Sequence, residues 1–282
     1  MKFGLHLGGV NARFWGDVAE EGDRLGFESV WVPEHLVIPL KASGSPHAGD
    51  DHPPIPSDIP MFDALGMLCA IAARTERIGL GTHVYNIGLR HPFITARAAT
   101  TVDFVSGGRL LLGIGASWAR AEWDAVGLDF DTRGKRVDEA IDVCRRLWTE
   151  DTIEHHGTFF DFGPTNFEPK PKAQPLPLHI GGDGPAALRR AATVGAGWMP
   201  MNHSVDELSA SVAKLSALAE QAGRTEPIEV TIPSQVESAA DVERLAAAGV
   251  TRVIVRPWTS SREAIDGMRR FADAFGLTAS AT

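Results

Sequence analysis

The sequence has little of what several protein classes require. No run of eighteen apolar residues occurs among its 282 residues, so no membrane-spanning helix is predicted. The opening segment MKFGLHLGGV lacks the basic flank and long apolar run of an export signal, so we expect a cytoplasmic location. The two cysteines, Cys69 and Cys144, lie far apart inside helical patterns, which favours core packing over a disulfide or a thiolate metal site.

Clustered positive charge is also missing. The net charge is −9, and no block of lysine and arginine stands out. Nucleic acids and anionic membranes bind surfaces of concentrated positive potential, so the sequence argues against both partners and favours a small molecule. With 44% hydrophobic residues and 22% charged ones, the chain suits one large domain over residues 1–282.

Short β-branched runs alternate with longer amphipathic stretches along the whole chain. This alternation is typical of repeated βα units around a parallel sheet. Eight units in about 280 residues predict an α/β fold of the (β/α)8 TIM-barrel type. The predicted strands are Lys2 to Leu7, Ser29 to Val32, Ile78 to Val84, Leu110 to Ile114, Leu178 to Ile180, Gly197 to Met201, Ile228 to Ile232 and Arg252 to Val255.

Two connections are longer than a barrel needs. The first, Ile38 to Pro60, follows the second strand and therefore leaves from the C-terminal face, where barrel enzymes build their sites, so we interpret it as a candidate lid. The second, Thr152 to Pro177, precedes the fifth strand. Its apolar sequence, interrupted by turn residues, predicts a small hairpin packed on the rim of the barrel.

Residues just after each strand should face a substrate, and His35 after the second strand is the best candidate for proton transfer. The alternative is that His35 ties down the following loop, with Glu34 as its partner. His47, Asp50, Asp51 and His52 lie in one loop, and the sequence shows no neighbouring residues that would orient them as metal ligands. We therefore interpret this group as solvated and expect no metal. His155 and His156 would point apart on a strand.

Two glycine-rich turns follow later strands. Gly181, Gly182 and Gly184 enter a helix, where backbone amides and the helix dipole favour a phosphate, although a tight turn that needs glycine dihedrals explains them equally well. The segment GIGASW, residues 113–118, lacks the third glycine of a dinucleotide fingerprint. Close approach of a flat ring to the backbone explains its glycines as well.

Several long motifs in one order resemble the luciferase-like monooxygenase superfamily, especially its branch that uses the deazaflavin coenzyme F-420. They are FGLHL, LGFESVWVPEH, RTERIGLGTHV, RHPFITARAATTVDFVSGGRLLLGIGASW and LPLHIGGDGPAALRRAATVGAGW. The resemblance implies a ring of flavin or deazaflavin among the strand ends. It implies a non-prolyl cis peptide at His83 and Val84. The implied cofactor contacts are Leu5, His35, His83, Val84, Gly115, Ala116, Ser117, Gly181, Gly182 and Trp198.

Deazaflavin dehydrogenases of this type pair an acidic residue and a histidine after the second strand with a glutamate soon after the fourth. Glu34 and His35 match the first element, which implies that both are catalytic. Trp118 occupies the place of the glutamate, and Glu122 follows one helical turn later. Trp118 is therefore interpreted either as an apolar wall for the substrate or as a packing residue at the rim.

Three functions follow from the resemblance. The first is hydride transfer between reduced coenzyme F-420 and a small organic substrate. The second is a monooxygenase that uses reduced flavin mononucleotide (FMN) from a separate reductase. The third is a barrel that binds flavin without catalysis. Family members also form homodimers through outer helices, for which Phe62 to Ala73 and Pro92 to Phe104 are the candidates.

Overall fold

A computed structural model describes residues 1–38, 40, 56–201 and 204–278. Most of the connection interpreted as a lid, and the group of His47, Asp50, Asp51 and His52, lie outside these residues. The prediction of eight βα units is confirmed, because eight parallel strands close into one barrel surrounded by helices.

The barrel strands are short and almost fully buried, as strands covered on both faces should be. Neighbouring strands pair in parallel around the ring, which Leu80 and Gly81 close by pairing with Leu110 and Leu111. A two-residue strand, Tyr85–Asn86, continues the strand that ends at Thr82 after an irregularity. The strands are β1 (Lys2–His6), β2 (Ser29–Val32), β3 (Gly79–Thr82), β4 (Tyr85–Asn86), β5 (Leu110–Gly115), β8 (Leu178–Gly181), β9 (Gly197–Met199), β10 (Glu229–Pro233) and β11 (Arg252–Val255).

Amphipathic helices cover the barrel, and polar residues set where several of them begin. Ser204 and Glu207 form a capping box at the start of one helix, and Ser238 and Asp241 form another. The helices are α1 (Trp15–Leu25), α2 (Ala64–Ala72), α3 (Pro92–Ser106), α4 (Arg120–Ala125), α5 (Arg133–Thr149), α6 (Pro185–Val194), α7 (Val205–Gln221), α8 (Ala239–Ala247) and α9 (Ala264–Phe275). Among the described residues, no helix has the length and apolarity that a membrane crossing requires.

Successive side chains of each strand point to opposite faces of the sheet, so the core has two parts, one outside the barrel and one inside it. Side chains such as Leu5 and Trp198 join the large cluster between strands and helices. Trp31, Met199 and Ile254 form a separate cluster inside the barrel, on which Val84 packs. This division decides which residues can face the barrel opening.

The predicted hairpin is present as two antiparallel strands, β6 (Thr152–His156) and β7 (Asp161–Asn166). The Glu139 carboxylate on α5 accepts hydrogen bonds from the backbone amides of residues 158–160, which secures the hairpin to the outer helices. As predicted, the adjacent histidines diverge: His155 contacts Glu139, and His156 contacts Asp161.

Candidate active site

Polar groups gather at the C-terminal ends of β1, β2, β3 and β5, which we call the barrel mouth. His6 ends β1, His83 follows β3, and their rings meet edge to face with centroids 5.6 Å apart. Burial lowers the pKa of His6, and Arg256 adds to the effect. Burial, with a smaller contribution from His6, lowers the pKa of His83 to about 3. Both imidazoles are therefore neutral at neutral pH.

His83 and Val84 separate β3 from β4, and this segment has one residue more than the facing part of β5. Gly81 pairs with Leu111, whereas Tyr85 pairs with Ile114, so four steps on one strand oppose three on the other. This is a β-bulge, and the peptide between His83 and Val84 within it is cis. The cis peptide implied by the family resemblance is thus present at that position.

The glycines around the bulge make room for it. A Cβ atom on Gly115 would lie 2.7 Å from Val84 Cγ2, and one on Gly181 would lie 3.0 Å from Val84 Cγ1. A Cβ on Gly113 would lie 1.9 Å from the Thr82 carbonyl oxygen. The sequence suggested close approach of a flat ring as the reason for such glycines, but in the structure the Val84 side chain takes the space beside Gly115 and Gly181.

His35 follows β2 and has a partner that the sequence did not predict. Its Nδ1 lies 3.3 Å from Oε2 of Glu122 on α4, whose side chain is fully buried. The same carboxylate accepts hydrogen bonds from the backbone amide of Leu36 at 2.6 Å and from the Ser117 hydroxyl at 3.1 Å. The two residues of the contact are 87 positions apart, which is why local spacing did not reveal it.

Trp118 lies against the same histidine. Its ring meets the His35 ring edge to face, with centroids 5.6 Å apart. Ser117, just before Trp118, has φ of 60°, a left-handed backbone conformation that residues other than glycine rarely adopt. Its hydroxyl points to Glu122. Trp118 and Glu122 therefore confine the His35 ring from two sides.

Glu34 turns away from His35. Its carboxylate binds the Arg90 guanidinium at 2.7 Å and accepts a hydrogen bond from the Asn86 amide at 2.8 Å. Burial opposes the charge of Arg90, but the ion pair and hydrogen bond with Glu34 outweigh it and raise the pKa of Arg90. Glu34 thus fastens the end of β2 to the segment after the bulge, and the structure does not bring it to His35.

The glycine-rich turn after β8 is open to a ligand on one side. Gly182 has φ of 115°, a conformation suited to glycine, and space is free beside the Cα of Gly184, the residue before α6, which provides no side-chain cap. The indole of Trp198 donates a hydrogen bond to the Gly182 carbonyl at 2.8 Å. The Gly182 amide already binds the Met199 carbonyl and Pro185 has no N–H, so a phosphate here would depend on the other amides of the turn.

Two predicted cofactor contacts do not reach the mouth. Leu5 is fully buried, and its side chain approaches Gly22 of α1 in the layer outside the barrel. Trp198 is also fully buried, behind the turn that it supports. The neighbours of these residues on the strands, His6 and Met199, are the ones that face the barrel interior, because successive side chains alternate.

The mouth fits a planar cofactor with a phosphate-bearing tail. Its inner wall combines the neutral imidazoles with the apolar Val84 side chain, and the turn at Gly184 leads into α6 without a side-chain cap. Ala116 and Ser117 border the same opening after β5. Val84 and the two imidazoles would hold the ring, and residues 181–184 would hold the tail.

A cavity of about 460 Å³ lies at the other face of the barrel, near the beginnings of β8, β9 and β10. Its lining includes Trp148, Leu178 and Arg224. It contains no histidine or cysteine and lies apart from His35 and Glu122. We therefore place the candidate site at the mouth, where the titratable groups converge.

The fold and this arrangement define a (β/α)8 barrel with its site at the strand C-termini. Residues 3–264 match the model of the luciferase-like monooxygenase family, and the chain belongs to that family of oxidoreductases. The resemblance seen in the sequence is confirmed.

Similar proteins include both characterised and uncharacterised members. An uncharacterized protein of Mycobacterium tuberculosis is 33% identical over 257 residues, covering 90% of this chain and 88% of that protein. A coenzyme F-420-dependent glucose-6-phosphate dehydrogenase of Microbacterium testaceum is 32% identical over 198 residues, covering 69% of this chain and 53% of the dehydrogenase. The monooxygenase RslO1 of Streptomyces bottropensis shares the fold, with a TM-score of 0.76 at 22% identity and coverage of 97% and 98%.

Proposed function

We propose that this protein is a coenzyme F-420-dependent oxidoreductase acting on a small organic substrate, with His35 as the group that exchanges a proton with the substrate. The observation that carries the proposal is the contact of His35 with the buried Glu122 at the mouth. A relative that uses coenzyme F-420, at 32% identity, supports the choice of cofactor. When bound, the deazaflavin would supply or accept the hydride.

The chain's own residues would provide orientation and a proton site. Val84 and the neutral His6 and His83 rings would bind the cofactor ring without placing a positive charge beneath it. Trp118 would form an apolar wall beside the reacting atom, next to His35. Glu34 would act at a distance, because its ion pair with Arg90 holds the end of β2 in place.

Cofactor titration tests the proposal directly. Purified protein is titrated with coenzyme F-420 and, separately, with FMN, and quenching of cofactor fluorescence reports binding. We expect micromolar affinity for the deazaflavin and weaker affinity for FMN. Binding of FMN alone, together with oxygen uptake during turnover, would instead establish the monooxygenase, since only a flavin forms a stable adduct with oxygen.

A substitution at His35 tests the proton-transfer role. In His35→Asn we expect deazaflavin binding to persist while reduction of bound cofactor by a panel of short primary and secondary alcohols falls by about 10²- to 10⁴-fold. His156→Asn is a matched control, because His156 is exposed on the hairpin and contacts Asp161. Undiminished oxidoreductase activity in His35→Asn would favour a barrel that binds its cofactor without catalysis.

A further inference from the structure

The Glu122 carboxylate joins two loops of the mouth. Oε1 accepts hydrogen bonds from the backbone amides of Leu36 at 2.6 Å and Val37 at 3.4 Å. Oε2 lies 3.3 Å from His35 Nδ1 and 3.1 Å from the Ser117 hydroxyl. The side chain has no exposure to solvent, so these groups replace its hydration.

The backbone amides of Leu36 and Val37 determine which oxygen of Glu122 is available to His35. A backbone amide can only donate, so Oε1 must be an acceptor, and Oε2 is the oxygen left for the histidine. The Ser117 hydroxyl donates to Oε2, so both oxygens receive donors, and a hydrogen bond from a neutral His35 ring to Oε2 requires the ring proton to lie on Nδ1. Nε2 is then the nitrogen without a proton.

We infer that Glu122 is a positioning residue, which holds His35 in the Nδ1–H tautomer and leaves Nε2 free to take a proton from a substrate hydroxyl. This inference rests on the proposed function for its catalytic meaning, although the tautomer itself does not depend on it. In the reverse direction the protonated ring returns that proton from Nε2.

Trp118 and Ser117 make the contact specific. The Trp118 ring restricts rotation of the His35 side chain on one side. The left-handed backbone of Ser117, with φ of 60°, directs its hydroxyl at Oε2 of Glu122. The carboxylate is thus fixed by three groups besides the histidine, and its position does not depend on His35.

A purely structural role for Glu122 predicts something different. The bonds to Leu36 and Val37 also fasten the segment after β2 to α4, and loss of this anchor alone would lower stability and cofactor affinity together. It would not reverse the tautomer of His35. The position of the ring proton therefore separates the two roles.

Glu122→Gln provides the sharpest test. A glutamine has one acceptor oxygen, and the two amides of Leu36 and Val37 require it, so its NH₂ group must face His35 and Ser117. This NH₂ group donates to Nδ1, and the ring proton moves to Nε2. We expect ¹H–¹⁵N spectra of protein labelled at histidine, recorded above neutral pH, to show Nδ1–H for His35 in the wild type and Nε2–H in the variant.

The spectra are assigned by loss of the His35 signals in His35→Asn. Asp124→Asn is the matched control, since Asp124 is an exposed carboxylate on the same helix, and its spectrum should show the wild-type tautomer. An Nε2–H tautomer in the wild type would overturn the inference. The wild-type spectrum decides this point even if Glu122→Gln does not fold.

Turnover of the alcohol panel gives an independent measurement. We expect Glu122→Gln to lose about 10²-fold or more in kcat with deazaflavin affinity largely kept. Equal loss of affinity and stability without a change of tautomer would overturn the positioning role and leave an anchor. If the wild-type protein shows Nδ1–H but neither binds nor reduces the deazaflavin, the proposed function fails while the tautomer assignment stands.

Discussion

The Val84 side chain occupies the space that a Cβ atom on Gly115 would need, with Cγ2 only 2.7 Å from that position. Val84 belongs to the bulge after β3, and Gly115 ends β5. The bulge can therefore adopt this position only because residue 115 on the neighbouring strand has no side chain. Because the bulge carries His83 into the mouth, this packing relationship supports the shape of the whole site.

Gly115→Ala should displace Val84 and reshape the mouth. We expect weaker deazaflavin binding and a lower Tm, because a methyl group is added where a well-packed side chain already lies, and overpacking costs about 1–3 kcal/mol. Adding Val84→Ala should restore part of both losses, since it removes the clash. Titration and thermal unfolding of the single and double variants measure the coupling.

Gly163→Ala on β7 serves as the control for that series, because no atom lies within 4 Å of the added methyl group. It should leave both measurements near the wild-type values. If Gly115→Ala binds the deazaflavin as the wild type does, then the Val84 contact does not shape the site.

Glu34→Gln should destabilise the protein strongly. The carboxylate is 1% exposed and the Arg90 side chain 10%, so removing one charge leaves the other buried without its partner. Breaking such a pair costs about 3–5 kcal/mol of unfolding free energy, which urea denaturation can measure. Asp131→Asn, which breaks an exposed pair with Arg120, should change stability little.

Stability should fall as the pH is lowered below neutrality. Burial lowers the pKa of His83 to about 3 and, with Arg252 adding to the effect, that of His179 to about 4, whereas the unfolded chain keeps values near 6.5. Between these values the unfolded chain binds protons that the native protein does not. The stabilisation is therefore complete above pH 6.5 and is lost as the pH falls toward 3.

Thermal unfolding from pH 7 to pH 4 measures this dependence. His179→Asn should flatten the curve, because one of the imidazoles whose pKa is lowered by burial is gone, whereas His156→Asn on the exposed hairpin should not. A Tm that is constant over this range would show that the two rings are not held neutral by burial.

We expect a homodimer that uses the exposed face of α3. Ile94, Phe104 and Val105 on this helix keep 59%, 57% and 46% of their surface exposed, and Phe62 before α2 keeps 43%. A second copy of the chain would cover them. Light scattering coupled to size exclusion should report twice the monomer mass, and Phe104→Asp should lower it, whereas Ala210→Asp on the exposed side of α7 should not. A monomeric wild type would refute this.

The barrel could be predicted because its signals are local. Each strand is a short, largely apolar run, and the order of strands and helices follows the chain; for example, Ser29–Val32 and Arg252–Val255 have the predicted bounds. His35 could be predicted from its place after β2. Glu122 could not be assigned a role, because its partners His35, Leu36 and Val37 lie 85 to 87 residues away and its burial depends on packing between loops.

Side-chain direction at the strand ends was harder to predict than position. Leu5 and Trp198 occupy predicted strands, yet both face the outer layer, and His6 faces the interior in place of Leu5. A shift of one residue reverses the direction of a side chain, so motif resemblance alone did not decide which neighbour lines the mouth. The sequence indicated a close approach at the glycines after the strands, but only the packing showed that Val84 fills the space beside Gly115 and Gly181.

The amino-acid sequence by itself determined the repeating βα units, the family and the strand ends at which polar groups collect, because periodicity and motif order are properties of neighbouring residues. Only the tertiary structure decided that His35 contacts Glu122, that Glu34 contacts Arg90 and that Val84 lies against Gly115. Such pairs depend on the register of strands and the closure of the ring, which bring together residues that the chain keeps far apart.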